Sequence, residues 1–212
     1  MRFILVRHGE TYSNTLFGTP KQMLIGALDN ELTKLNEVGM KQAEQASHIV
    51  KEYIEEKIDE IYVSDLTRTI QTADIVFEGS TYIKDARLRE RSLGVLEGML
   101  LSEVVENEEL NATLPDSRYD DLEACMYKKH ESGESYEDVV KRLEDFLSMF
   151  DYKEDKTVAC VSHFHTIRIL IYLLVKKPFD MKLFDMMLKN SEPYVFDYKD
   201  GRFELVSNNL EI

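Results

Sequence analysis

Four short segments of the 212-residue chain offer side chains with chemistry to do: Arg7-His8, Arg68, Leu88-Arg89-Glu90 and Ser162-His163. Phe3 to Val6 is an apolar run rich in β-branched residues and closed by Arg7-His8-Gly9; Thr157 to Val161 is another, closed by Ser162-His163. Each reads as a buried strand that ends in an imidazole. Ligands of open α/β sheets gather outside the carboxyl ends of the strands, so the pattern sends both histidines and Arg7 to one edge. Arg68 falls in the first turn of a helix that follows a third strand, from where it can point back to that edge. Two arginines and a second imidazole can neutralise phosphoryl oxygens while one histidine attacks phosphorus. A carboxylic acid, Glu90, is then at hand to protonate the leaving oxygen. The same set makes a poor metal site, because ligating histidines come with carboxylates or with close spacing on one element. No metal and no cofactor are expected. Gly9 is expected to let the chain turn sharply beside His8.

The elements that must position these groups alternate. An amphipathic helix is read from Val38 to Lys57, with Ala43, Ala46, Ile49, Val50, Tyr53 and Ile54 inward, followed by a strand from Ile58 to Val63. Ser64 or Asp65 is the candidate N-cap of the Arg68 helix, whose inner face is Leu66, Ile70, Ala73 and Ile75 or Val76. A strand at Thr81–Ile83, a helix from Glu134 to Asp151, helical sequence at Thr166–Val175 and Asp180–Leu188, and a hairpin turning at Asp200-Gly201 complete the chain. The acidic stretch from about Glu97 to His130 reads as a cap with short helices near Ser102–Leu110 and Tyr119–Lys129. The expected fold is a single domain over residues 1–212. It is a three-layer α/β/α sandwich with a mostly parallel sheet, an antiparallel edge strand and a small helical cap at about 97–132.

These motifs resemble those of the histidine phosphatase (phosphoglycerate mutase-like) superfamily. Arg7-His8-Gly9-Glu10-Thr11 with Asn14 matches its opening; Ser64-Asp65-Leu66, Arg68 and Gln71-Thr72-Ala73 match its second motif. Leu88 and Glu90 with Gly94 and Glu97-Gly98 match the third, and Gly133-Glu134-Ser135, Arg142 and Ser162-His163 complete the order. The resemblance implies that His8 is the nucleophile of a phosphohistidine intermediate. It implies that Arg7, Arg68 and His163 clamp the phosphoryl group with help from Asn14. Glu90 would be proton donor and then base, with a pKa that has to rise; Glu10 is the alternative acid. The implied substrate is a small phosphorylated metabolite and the implied reaction hydrolysis. A mutase that returns the phosphate is the first rival, and the family's mutases tend to carry a longer insertion after the third motif. A phospholigand-binding protein and a protein-phosphohistidine phosphatase are further alternatives. The chain departs from the family at Phe164-His165, where Gly-Gly is common. It also departs at Ile25, at Leu96 in a frequent Trp position, and in the loop from Leu16 to Leu24. Leu32-Thr33 and Leu35-Asn36 offer two registers for one helix start.

A net charge of -14 argues against nucleic acid or an anionic membrane surface as partner. The longest apolar candidate, Ile167–Val175, is too short to span a bilayer. Two isolated cysteines, Cys125 and Cys160, in a chain that opens straight in a strand suggest a reducing cytoplasm. Cys160 reads as core, and His48 and His130 as surface residues, while His165 is expected to support the site from behind. Met181, Met186 and Met187 suggest packing or a contact in a homodimer. The acidic run Asp116–Glu123 reads as a solvated face, with Arg118, Lys128 and Lys129 as cations that an anionic substrate's tail would meet.

Overall fold

A computed structural model describes residues 1–54, 57–114, 121–207 and 210. Strand β1 (Arg2–Arg7) is central. The sheet order is β3 (Ile83–Lys84), β2 (Glu60–Val63), β4 (Thr157–Ser162), β1, β5 (Pro193–Lys199) and β6 (Arg202–Leu205). The first four strands run parallel, and β5 and β6 pair antiparallel at the other side. Alternation along β1 and β4 divides the core in two, as the strand period of two requires. Phe3, Leu5, Val158 and Cys160 pack with the layer that holds α6 (Tyr136–Leu147) and α7 (Phe164–Val175). Ile4, Val6, Ala159 and Val161 pack on α1 (Glu37–Glu52) and α2 (Thr67–Val76). The three-layer sandwich read from the sequence is the architecture observed.

Several boundaries differ from the expectation, each for a local reason. Asn36 caps α1 by accepting the Gly39 N–H at 2.8 Å, which selects the Leu35-Asn36 register; Asn30 and Thr33 form a separate capping box on a short 3-10 turn. Helix α1 stops at Glu52 and its Ile49 faces solvent. Neither Ser64 nor Asp65 caps α2. Ser64 is taken by His163 and Asp65 by Arg89, and Asp29 reaches across to accept the Thr67 N–H and hydroxyl instead. Strand β3 falls at Ile83–Lys84, α7 starts at Phe164, and the helix expected over Asp180–Leu188 shrinks to α8 (Lys182–Asp185). Helix α6 is set at its start by a Ser135–Asp138 capping box.

The acidic segment carries α3 (Leu101–Glu106), α4 (Glu108–Asn111) and α5 (Leu122–Tyr127). Its root pairs with the first loop: Leu24 N–H donates to Met99 O and Leu101 N–H to Gln22 O, at 3.0 and 2.8 Å. Most of the acidic run, with Arg118, lies outside the described residues. No helix among the described residues is long and apolar enough to cross a membrane.

Candidate active site

The register between β1 and β4 pairs Arg7 with Ser162, so the next residues, His8 and His163, leave the sheet side by side. Their ring centroids are 5.3 Å apart. The sheet itself, through His8 N–H to Ser162 O at 3.0 Å, sets that separation. Ser162 Oγ donates to Leu88 O and Thr166 Oγ1 to Arg89 O, both at 2.7 Å, which brings Glu90 to the same edge. Thus the structure brings together Arg7, His8, Arg68, Glu90 and His163.

His8 is buried, and its Nδ1 lies 2.8 Å from Gly9 O. A carbonyl only accepts, so Nδ1 carries the proton and Nε2 keeps its lone pair. Burial first, then the guanidiniums of Arg68 and Arg7, push the His8 pKa well below its ordinary value. The ring is neutral, with the Nε2 lone pair unprotonated. Gly9 serves this differently from the expectation: its φ is not positive, and its role is close approach. A Cβ there would lie 2.4 Å from Gly39 O at the start of α1, while the Gly9 N–H is held by Thr72 Oγ1 at 3.0 Å.

Arg68 spends three of its five donors on the protein. Nε donates to His163 Nδ1 at 3.1 Å, and Nη1 and Nη2 to Leu28 O and Gly26 O at 2.9 Å each. Because Arg68 only donates, His163 Nδ1 must accept, and Nε2–H donates to Ser64 Oγ at 2.8 Å. Burial and then Arg68 keep this ring neutral too. In this state both His163 nitrogens are engaged, so a phosphoryl contact from His163 requires it to release Ser64. Arg7 donates Nη1 to Leu188 O at 2.7 Å, and its Nε is buried with no partner among the described residues. Burial lowers its pKa to about 10, with Glu90 acting in the opposite sense. Asn14 uses Oδ1 to accept from Thr11 N–H and hydroxyl, both at 3.0 Å, which leaves its amide donors available.

Glu90 departs from the expected high pKa. Burial raises it, but the His165 imidazole, the amides of Arg91 and His165, and Arg68 together bring it below the ordinary carboxylate value. Those amides are real hydrogen bonds, 2.9 Å to Oε1 and 3.1 Å to Oε2, and the second belongs to the first turn of α7, the positive end of the helix. With the site free of phosphate, Glu90 is a carboxylate. Glu10, the alternative acid, is tied to α1 through Asn36 Nδ2 at 2.8 Å.

Sequence reasoning missed other members of the site. The loop after α8 folds over His8: Asn190 Nδ2 donates to His8 O and Ser191 N–H to Arg7 O, both at 2.9 Å. Buried Arg168 and Arg91 stack on Phe164 and Tyr136, with Cζ 3.9 and 5.0 Å from the ring centroids. Tyr136 is hydrogen-bonded through its hydroxyl to His165 Nδ1 at 2.6 Å. None of these carries a periodicity signal; i, i+4 spacing from Phe164 to Arg168 was the one available hint. Cys125 and Cys160 are both buried.

A family model described as the histidine phosphatase superfamily (branch 1) matches residues 3–211. Among curated proteins, the chain is 40% identical over 111 residues to the fructose-2,6-bisphosphatase TIGAR of Bos taurus, covering 49% of this chain and 37% of that protein. It is 38% identical over 112 residues to the probable phosphoglycerate mutase GpmB of Yersinia pestis, covering 51% of this chain and 46% of that protein. The match therefore spans less than half the length of each of these relatives. The solved α-ribazole phosphatase of Shigella flexneri has the same fold, with TM-score 0.77 at 21% identity over 97% of this chain and 94% of that one. Two neutral imidazoles and two guanidiniums at one sheet edge, on that fold and under a family match of that extent, place the chain in branch 1 of the histidine phosphatase superfamily.

Proposed function

We propose that the protein is a phosphomonoesterase that hydrolyses small phosphorylated metabolites through a phosphohistidine on His8, without a metal or cofactor. The observation that carries this reading is the Nδ1–H bond from His8 to Gly9 O, which leaves a neutral Nε2 facing a cationic, buried site. Nε2 attacks phosphorus as the ester P–O bond breaks, with Arg7 and the two uncommitted Arg68 donors on the phosphoryl oxygens. Asn14 adds a donor, and His163 adds another once it releases Ser64. Glu90, which the bound phosphate dianion raises into its protonated form, gives its proton to the leaving oxygen. It then takes a proton from the water that attacks the phosphohistidine, and inorganic phosphate leaves. The cap segment, over the described residues 97–114 and 121–132, and the loop joined to it would shape the room for the rest of the substrate. Cys160, a free thiol buried in the sheet, supports a reducing cytoplasm as the setting.

The test is phosphate release from a panel of metabolites in EDTA, with 3-phosphoglycerate plus 2,3-bisphosphoglycerate followed for isomerisation. Release from several esters supports the reading. Isomerisation with little release makes the protein a mutase, and silence in both overturns catalysis by this site.

A further inference from the structure

Phe164 opens α7 directly after His163, and its ring is in contact with two guanidiniums. Arg168, one turn along the same helix, puts Cζ 3.9 Å from the ring centroid, and Arg7, at the end of β1, puts Cζ 4.7 Å from it. Both lie inside the ~6 Å over which an aromatic face attracts a cation. Each guanidinium is also tied to one segment of chain: Arg168 Nε donates to Met186 O at 2.6 Å and Arg7 Nη1 to Leu188 O at 2.7 Å. Neither arginine has a carboxylate at ion-pair distance among the described residues, and the one bond from Nη1 leaves the Arg7 fork free to swing about it.

We propose that Phe164 is the positioning residue for Arg7: its ring, braced by Arg168, fixes the Arg7 plane so that the Nε/Nη2 edge stays open for two phosphoryl oxygens. This rests on the reading of Arg7 as a phosphoryl clamp. Leu188 O takes Nη1, so the remaining pair, Nε and Nη2, is the side-on fork of the guanidinium, the edge that matches two oxygens of one tetrahedral anion. Nε is buried without a partner, as expected of a donor kept for an anion. The ring does this without adding negative charge; a carboxylate in its place would compete with the phosphate. Two cations held near one ring repel each other across it, and an arriving dianion relieves that repulsion.

Phe164→Leu keeps the apolar bulk and removes the π face, whereas Phe164→Tyr keeps the face. The dissociation constants of vanadate and inorganic phosphate, measured by calorimetry, are compared with kcat and KM on p-nitrophenyl phosphate and with Tm. The expected result is about tenfold weaker binding of both anions in Phe164→Leu, equivalent to ~1.4 kcal/mol. Phe164→Tyr should bind within about twofold of wild type, with Tm little changed in both. Wild-type affinity in Phe164→Leu, or equal losses in Leu and Tyr, overturns the proposal. If Phe164→Leu does not fold, Phe164→Met makes the same comparison. A wild-type protein that binds vanadate yet releases phosphate from no ester would overturn the hydrolytic reading while leaving this one standing.

Discussion

Gly39 lies in the first turn of α1 and has no functional group, yet Gly39→Ala should disable the site. A Cβ on Gly39 would stand 2.1 Å from Glu10 O, 2.6 Å from Glu10 N and 2.9 Å from Glu10 C, whereas real Cβ atoms essentially never come within 3.0 Å. All three neighbours are backbone, so no side chain can rotate away and the β1 exit must move by about 1 Å relative to α1. Ala is favoured over Gly inside a helix by ~1 kcal/mol, while an overpacked contact costs ~1–3 kcal/mol, so the clash decides the sign. The displaced residues follow His8 directly, and Gly9 O is the acceptor that fixes its tautomer. A reacting group misplaced by ~1 Å loses on the order of 100-fold in rate. We therefore expect kcat/KM on p-nitrophenyl phosphate to fall about 100-fold, with Tm unchanged or lower. A variant with raised Tm and full activity would refute the close-crossing argument.

His8→Ala should fold like wild type but form no phosphoenzyme; an alkali-stable, acid-labile label after incubation with radioactive substrate must disappear, and its survival would move the nucleophile. Glu90→Gln should slow esters with alkyl leaving groups by ~100-fold or more, and p-nitrophenyl phosphate much less, because a good leaving group needs no proton; equal losses would move the acid. Stability should fall as the pH drops below about 6.5. His8 and His163 are held well below that value, chiefly by burial, and His165 at about 4 by burial, so the unfolded chain binds protons that the native state refuses. Each such group steepens the loss by up to ~1.4 kcal/mol per pH unit, and the lowered Glu90 acts in the same direction further down. Urea midpoints at pH 7 and pH 5 test this, and equal midpoints would contradict the neutral burial of these rings.

The sequence by itself determined the parts that local pattern controls. Continuous apolar runs specified β1 and β4, and their endings sent His8 and His163 to one edge, because a strand's direction carries its last residue there. The placement of Arg68 followed from a helix beginning just after β2. Tertiary structure decided whatever depends on partners far apart in the chain. Ser64 suits a cap from its sequence position, yet it serves as the acceptor of His163, because both roles suit a serine and only the fold brings His163 to it. Asp29 at the start of α2 and Asn190 on the His8 carbonyl are pairings across 38 and 182 residues, with no periodic trace. The Glu90 carboxyl is the clearest case. Burial alone raises it, and only the His165 imidazole, the amides of Arg91 and His165 and the Arg68 guanidinium assembled around it reverse that sign.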